Sequence, residues 1–136
     1  MKKMLFLVIV LIPCLLQAQN ITTTTLAWQA SSVTDSNTGN ILSAGGDKII
    51  SHSNTSVEWQ DAQGNVKYTY AVNTVNGSWS NVSNNGSIIY QVTTGGNSGT
   101  ITFTKSGSET TVRILVLEGE DIPDMYEFKI SSLTAL

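Results

Sequence analysis

Two-residue alternation of apolar and polar side chains, interrupted at short intervals by Gly- and Asn-rich turns, is the feature that most limits this chain. Successive side chains on a strand point to opposite faces, so alternation predicts half-buried β-strands. Val66, Tyr68, Tyr70 and Val72 share one face, with Lys67, Thr69, Ala71 and Asn73 opposite. Ile88, Tyr90 and Val92 repeat the pattern, as do Ile101 and Phe103, and then Tyr126, Phe128 and Ile130. Residues 112–117 are apolar on both faces and predict a better-covered strand. Earlier candidates are 21–28, a weak one at 31–35, 48–52 and 55–60, while 34–46 reads as an irregular loop. No stretch after residue 19 carries a helical period. The expectation is an all-β chain of eight or nine short strands, roughly six to eight residues each.

The connections fix the topology. Asp61-Ala62-Gln63-Gly64-Asn65 suits a tight hairpin with Gly64 at positive φ. Asn84-Asn85-Gly86, the segment 95–99 and Ser106-Gly107-Ser108 have the same turn chemistry. Links this short force antiparallel neighbours, because parallel strands need long crossovers. An antiparallel meander with one apolar face must close on itself or pair with a second sheet. A small up-and-down barrel fits best, with a two-sheet β-sandwich as the alternative. An outer-membrane barrel would turn its apolar face outward and needs strands of about nine to eleven residues, longer than those expected here. No internal repeat or linker divides residues 19–136, which are taken as a single domain.

The N-terminus reads as a secretory signal. Lys2 and Lys3 precede an apolar run, Met4 to Leu16, and Gln17-Ala18-Gln19 places a small residue at a cleavage point. The run is shorter than the about 20 residues a spanning helix needs, so a removable leader, 1–18, is expected rather than a membrane span. A lipoprotein signal ending at Cys14 is disfavoured by Pro13 before it. The protein is therefore expected to be secreted or periplasmic. Losing Lys2 and Lys3 takes the net charge from −3 to −5. Losing Cys14, the one cysteine of the chain, excludes disulfides, thiolate metal sites and a cysteine nucleophile. No basic run beyond Lys2-Lys3 offers a nucleic acid a surface.

A tryptophan in the first strand, Leu26-Ala27-Trp28, then a hairpin meander, then an arginine in a late strand, Thr111-Val112-Arg113, together resemble the lipocalin-like (calycin) barrels. The resemblance spans about residues 21 to 132. It implies that Trp28 packs under Arg113 at the closed end of the barrel, as a structural pair. The chain departs from the family where Leu26 stands in place of the glycine of Gly-x-Trp. It also lacks a Thr-Asp-Tyr motif and a helix after the last strand.

Catalytic constellations are thin. His52 is flanked by Ser51 and Ser53, which a strand turns to the other face, so no triad is expected. Glu58 and Asp61 lie close in sequence with Asp47 not far off, but Asp61 suits a turn-opening role and Glu58 alternates outward between Val57 and Trp59. Glu118, Glu120, Asp121 and Asp124 do not have EF-hand spacing and read as a solvated loop, with calcium as the alternative. No enzyme activity, cofactor or metal is expected. The remaining candidates are aromatic. Tyr68, Tyr70, Tyr90, Phe103 and Tyr126 fall on apolar faces, where they either fill a core or line a ligand site. Trp59 and Trp79, near turns, are candidates for an exposed stacking platform. The expectation is a non-enzymatic binding protein for a small apolar ligand such as a fatty acid, and the alternative is an extracellular protein-interaction module. A cavity would favour the first and a solid interior the second.

Overall fold

In a computed structural model of the chain, residues 18–119 and 121–136 are described; the predicted leader, apart from Ala18, lies outside them, as does Glu120. The alternating segments form nine strands: β1 (Thr25–Asp35), β2 (Ile41–Ser43), β3 (Lys48–His52), β4 (Ser56–Gln60), β5 (Val66–Asn76), β6 (Gly86–Thr94), β7 (Asn97–Ser106), β8 (Glu109–Leu117) and β9 (Asp124–Ala135). Every pairing is antiparallel, and the order β1-β3-β4-β5-β6-β7-β8-β9 is closed by β9 returning to β1. Eight strands thus make an up-and-down barrel, and the short β2 lies against β1 through Val33↔Ser43. Closure removes the sheet edges that a two-sheet sandwich would keep.

Several strands are longer than the sequence pattern predicts: β1 and β5 have 11 residues and β9 has 12. Length therefore does not separate this barrel from a membrane barrel. The apolar face of the strands points into the barrel.

Bulges interrupt the ladders of these long strands. Between β1 and β9 the register slips at Ser31 and Ser131, which have no partner in the ladder. The Ser31 hydroxyl donates to the Lys129 carbonyl (3.1 Å) and the Ser131 hydroxyl to the Gln29 carbonyl (3.2 Å). The slip moves the inward set from Leu26, Trp28 and Ala30 to Val33, which is why one strand reads as two broken pieces in the sequence. Ile21, expected in the first strand, instead lies in a turn before β1. The 34–46 segment is more regular than expected, since it carries the end of β1 and all of β2.

Inward side chains meet in rows across the ladders. One row is Ile88–Phe103–Val112–Phe128–Val33, and the next is Tyr90–Ile101–Ile114–Tyr126. Trp28, Trp59, Tyr70, Tyr90, Phe103 and Phe128 are the largest fully buried side chains. Their rings interlock: Trp28 lies 4.9 Å from Phe103, Tyr90 5.4 Å from Phe103, and Trp59 meets Phe128 edge-on at 4.8 Å. Trp59 and Trp79 are buried, not an exposed platform, because Trp59 lies on the inward face of β4 and the loop carrying Trp79 folds back under the barrel.

That loop closes the lower end, where the β3–β4, β5–β6 and β7–β8 connections gather. Trp79 packs 6.0 Å from Trp28, and its indole sits so close to Gly86 that any Cβ there would overlap it. Ile21 and Val82 complete the plug, held by the Val82 amide donating to the Gln19 carbonyl at 3.0 Å. The Tyr90 hydroxyl reaches the carbonyls of Ile21 (3.3 Å) and Ser53 (3.1 Å). The upper end, with β2 and the β4–β5, β6–β7 and β8–β9 connections, has no such cover among the described residues.

Candidate functional site

The predicted ligand-lining aromatics separate into two groups. Tyr90 and Phe103 lie in the lower half as closed core. Tyr68, Tyr70 and Tyr126 converge at the upper mouth, where with Thr94, Val116, Glu118 and Asp124 they line a pocket of about 70 Å³. Enclosed sites for drug-sized ligands run to about 300–1,000 Å³, so this pocket is small.

Each element delivers its residue for a local reason. Asp124 and Tyr126 are two apart on β9 and so share its inward face, and Asp124 pairs with Val116 at the end of β8. Tyr70 sits inward on β5 opposite Val57, only 2% exposed. Tyr68 lies 46% exposed at the rim. Val66, expected on the same inward face, is 50% exposed, because the β4–β5 register slips between Trp59 and Gln60 and leaves Lys67 as the extra residue. A second slip, at Asn73, transfers the inward face of β5 from Val72 to Val75.

Trp59 forms the floor beside the pocket. Its ring lies 5.4 Å from Tyr68 and 5.1 Å from Tyr126, and Tyr68 lies 6.3 Å from Tyr70. The Trp59 indole donates to Asp47 at 2.8 Å, and the Ser43 hydroxyl donates to the same carboxylate at 3.1 Å. Asp47 is buried, and the Lys67 ammonium, 3.9 Å away, balances its charge while lying 4.4 Å over the Trp59 ring. The Asp47 knot is thus structural and anchors β2 to the wall of the mouth.

Two of the phenols hold their protons more tightly than a free tyrosine. Burial raises the Tyr70 pKa, with Tyr68, Tyr126 and Asp124 adding to the rise. Burial likewise raises that of Tyr126, reinforced by Asp124, Tyr68, Asp35 and Glu118. Among the described residues none of the three phenol hydroxyls has a hydrogen-bond partner, and neither Glu118 nor Asp124 is in an ion pair.

Other expected constellations resolve differently. His52 faces Glu58 at 3.5 Å on the wall, away from the mouth. Asp61 accepts the backbone N–H groups of Asn65 (2.9 Å) and Gln63 (3.0 Å) across the hairpin, and the Asn65 bond is the main influence lowering its pKa. Trp28 and Arg113 do not pair. Arg113 stands between the inward Val112 and Ile114 and so points outward, meeting Glu127 at 2.8 Å, while Trp28 donates to the buried Ser51 hydroxyl at 2.9 Å. Among the described residues no group of three or more His, Cys, Asp or Glu side chains is gathered to hold a metal, and no helix is long and apolar enough to cross a membrane.

Glu118 and Asp124 belong to the mouth, although their sequence reads as a solvated loop. The signal that finds Asp124 is its two-residue spacing from Tyr126; nothing local marks Glu118. No protein-family model matches the chain, and neither the curated proteins nor the solved structures gave a match. The eight-stranded antiparallel barrel is compatible with a lipocalin-like fold.

Proposed function

We propose that the chain is exported, loses residues 1–18, and works outside the cytoplasm as a non-enzymatic interaction module that engages its partner through the upper mouth. The observation that carries this reading is the filling of the interior. Each of the eight barrel strands contributes packed side chains to the core, and the three tyrosines of the predicted face meet at a rim pocket of about 70 Å³, with a second of about 140 Å³ beside Tyr126; the larger space of about 310 Å³ lies at the lower end and is lined mainly by polar residues such as Lys105, Thr110 and Ser132. Sites that enclose drug-sized ligands run to about 300–1,000 Å³. A shallow aromatic mouth suits one protruding group of a larger partner. The lipocalin-like relationship is carried here as a matter of architecture, without the enclosed apolar ligand.

A photo-crosslinking residue at position 68, compared with one at position 104 on the outer wall, tests the reading in the cell that exports the protein. Adducts are expected from position 68 and not from 104. Equal yields at both positions, or adducts from 104 alone, overturn the mouth reading. Saturable binding of a fluorescent fatty acid at tens of micromolar, lost in Tyr70→Ala, would restore the carrier reading instead. N-terminal sequencing of the exported protein should read Gln19 first.

A further inference from the structure

The mouth is built from unsatisfied groups of one electrostatic kind. Tyr70 is 2% exposed and lines the pocket, and its hydroxyl makes no hydrogen bond to the described residues, being left accessible rather than sealed in the core. Buried phenols normally find a hydrogen bond. Asp124 and Glu118 line the same pocket with no cation within ion-pair distance among the described residues. Three ring systems, Tyr68, Tyr70 and Tyr126, complete the wall. Acceptors, carboxylates and ring faces all favour a cation that can donate hydrogen bonds.

We propose that the upper mouth binds the ammonium head of a lysine side chain presented by the partner, with Tyr68, Tyr70 and Tyr126 as its walls and Asp124 and Glu118 as its counter-charges. This deepens the mouth reading and rests on it. An ammonium carries three donors, enough to serve the Tyr70 hydroxyl and a carboxylate together. Its compact head on a thin stem fits a space of about 70 Å³. Rings within about 6 Å attract it through their negative faces.

The fold already uses this chemistry once, a few residues away. Lys67 holds its ammonium 4.4 Å over the Trp59 ring and 3.9 Å from the Asp47 carboxylate. Lys67 thereby neutralises Asp47 and leaves the carboxylates inside the mouth unmatched. Charge across the molecule is uneven in the same sense. Asp35, Asp47, Asp61, Glu118, Asp121 and Asp124 lie at the upper end, where the described bases are Lys48 and Lys67. Such a field draws cations toward the opening and repels anions.

The test is an amide chemical-shift titration of the exported protein with n-butylammonium chloride, which is the lysine side chain without its backbone. Butanol, of similar size and uncharged, and sodium butyrate, of opposite sign, are the comparison probes. Butylammonium is expected to give saturable shifts at residues 68, 70, 94, 124 and 126, with a Kd of about 1–10 mM, as befits one isolated group. Butanol should bind at least tenfold more weakly, and butyrate should give no saturable shifts. The double variant Asp124→Asn/Glu118→Gln should lose tenfold or more. Glu58→Gln/Glu109→Gln removes the same charge from the wall and lower end and should stay within twofold. Tyr70→Phe, checked by its thermal melt, should weaken binding severalfold with the fold retained. Equal binding of butanol, or equal weakening by the two charge-matched pairs, overturns the proposal. Persistent crosslinks from position 68 with no butylammonium binding would leave the mouth reading standing and refute the ammonium chemistry alone.

Discussion

Gly99 offers a demanding test of the barrel, because its role is steric and not conformational. It lies on the inward face of β7, paired with Val92 on one side and Val116 on the other. Its φ is unremarkable, so backbone freedom does not require a glycine there. Space does. A Cβ at position 99 would overlap the Leu115 carbonyl oxygen and lie 3.1 Å from the Val116 Cα. The obstacle is the backbone of β8, which cannot rotate away as a side chain can. Relief requires moving β7 from β8 in the middle of a closed barrel, where neither strand has a free edge.

Overpacking a core costs about 1–3 kcal/mol, and a backbone obstacle belongs at or above the upper end of that range. With an unfolding entropy of about 2 cal/mol/K per residue, a loss of about 3 kcal/mol lowers the Tm of a domain this size by roughly 10 °C. Gly107 is the comparison. It sits in the β7–β8 turn at φ +62° with nothing within 4 Å of an added Cβ, so alanine there meets only left-handed strain. That strain costs about 1–2 kcal/mol, partly offset by the lower entropy of the unfolded chain. Thermal melts by circular dichroism should therefore rank Gly99→Ala well below Gly107→Ala, the reverse of an order based on φ. A Gly99→Ala variant as stable as Gly107→Ala would refute the β7–β8 approach.

Two further outcomes follow from the packing. Phe128→Ala, which empties a fully buried site against the Trp59 ring, should cost about 3–5 kcal/mol by denaturant unfolding. Its neighbour Glu127→Ala loses a surface ion pair to an Arg113 side chain 68% exposed and should cost less than about 1 kcal/mol; similar midpoints would mean the β9 register is wrong. Burial pushes the Tyr90 phenol up to about 12, against about 10 when unfolded. Between those values the unfolded chain sheds a proton that the folded chain keeps, so stability falls as pH rises. Tyr90→Phe should flatten that alkaline decline while lowering stability at neutral pH through the lost contact with the Ile21 and Ser53 carbonyls. An unchanged alkaline slope in urea melts would refute the assignment.

Local sequence alone sets the strands, their inward sides over most of β4 and β6 to β9, and the hairpin order. Alternation and turn chemistry are local: Ile88, Tyr90 and Val92 are inward because side chains two apart share a face, and Asp61 closes its turn through Asn65 four residues on. Tertiary structure decided what depends on how separate strands meet. The 95–99 segment reads as a turn from end to end, yet Gly99 is an interior strand position, set by the approach of a strand whose backbone lies elsewhere in the sequence. Bulges at Ser31, Ser131, Lys67 and Asn73 shift the inward set, and no single strand's pattern predicts them because register belongs to the pair. Closure joins residues about 100 positions apart, Ala30 with Ile130 among them. The same closure decides which aromatics become core and which reach the mouth. Tyr68 and Tyr90 are alike in local pattern. A packed loop seals the lower end over Tyr90, whereas β5 brings Tyr68 to an end that the described residues leave open.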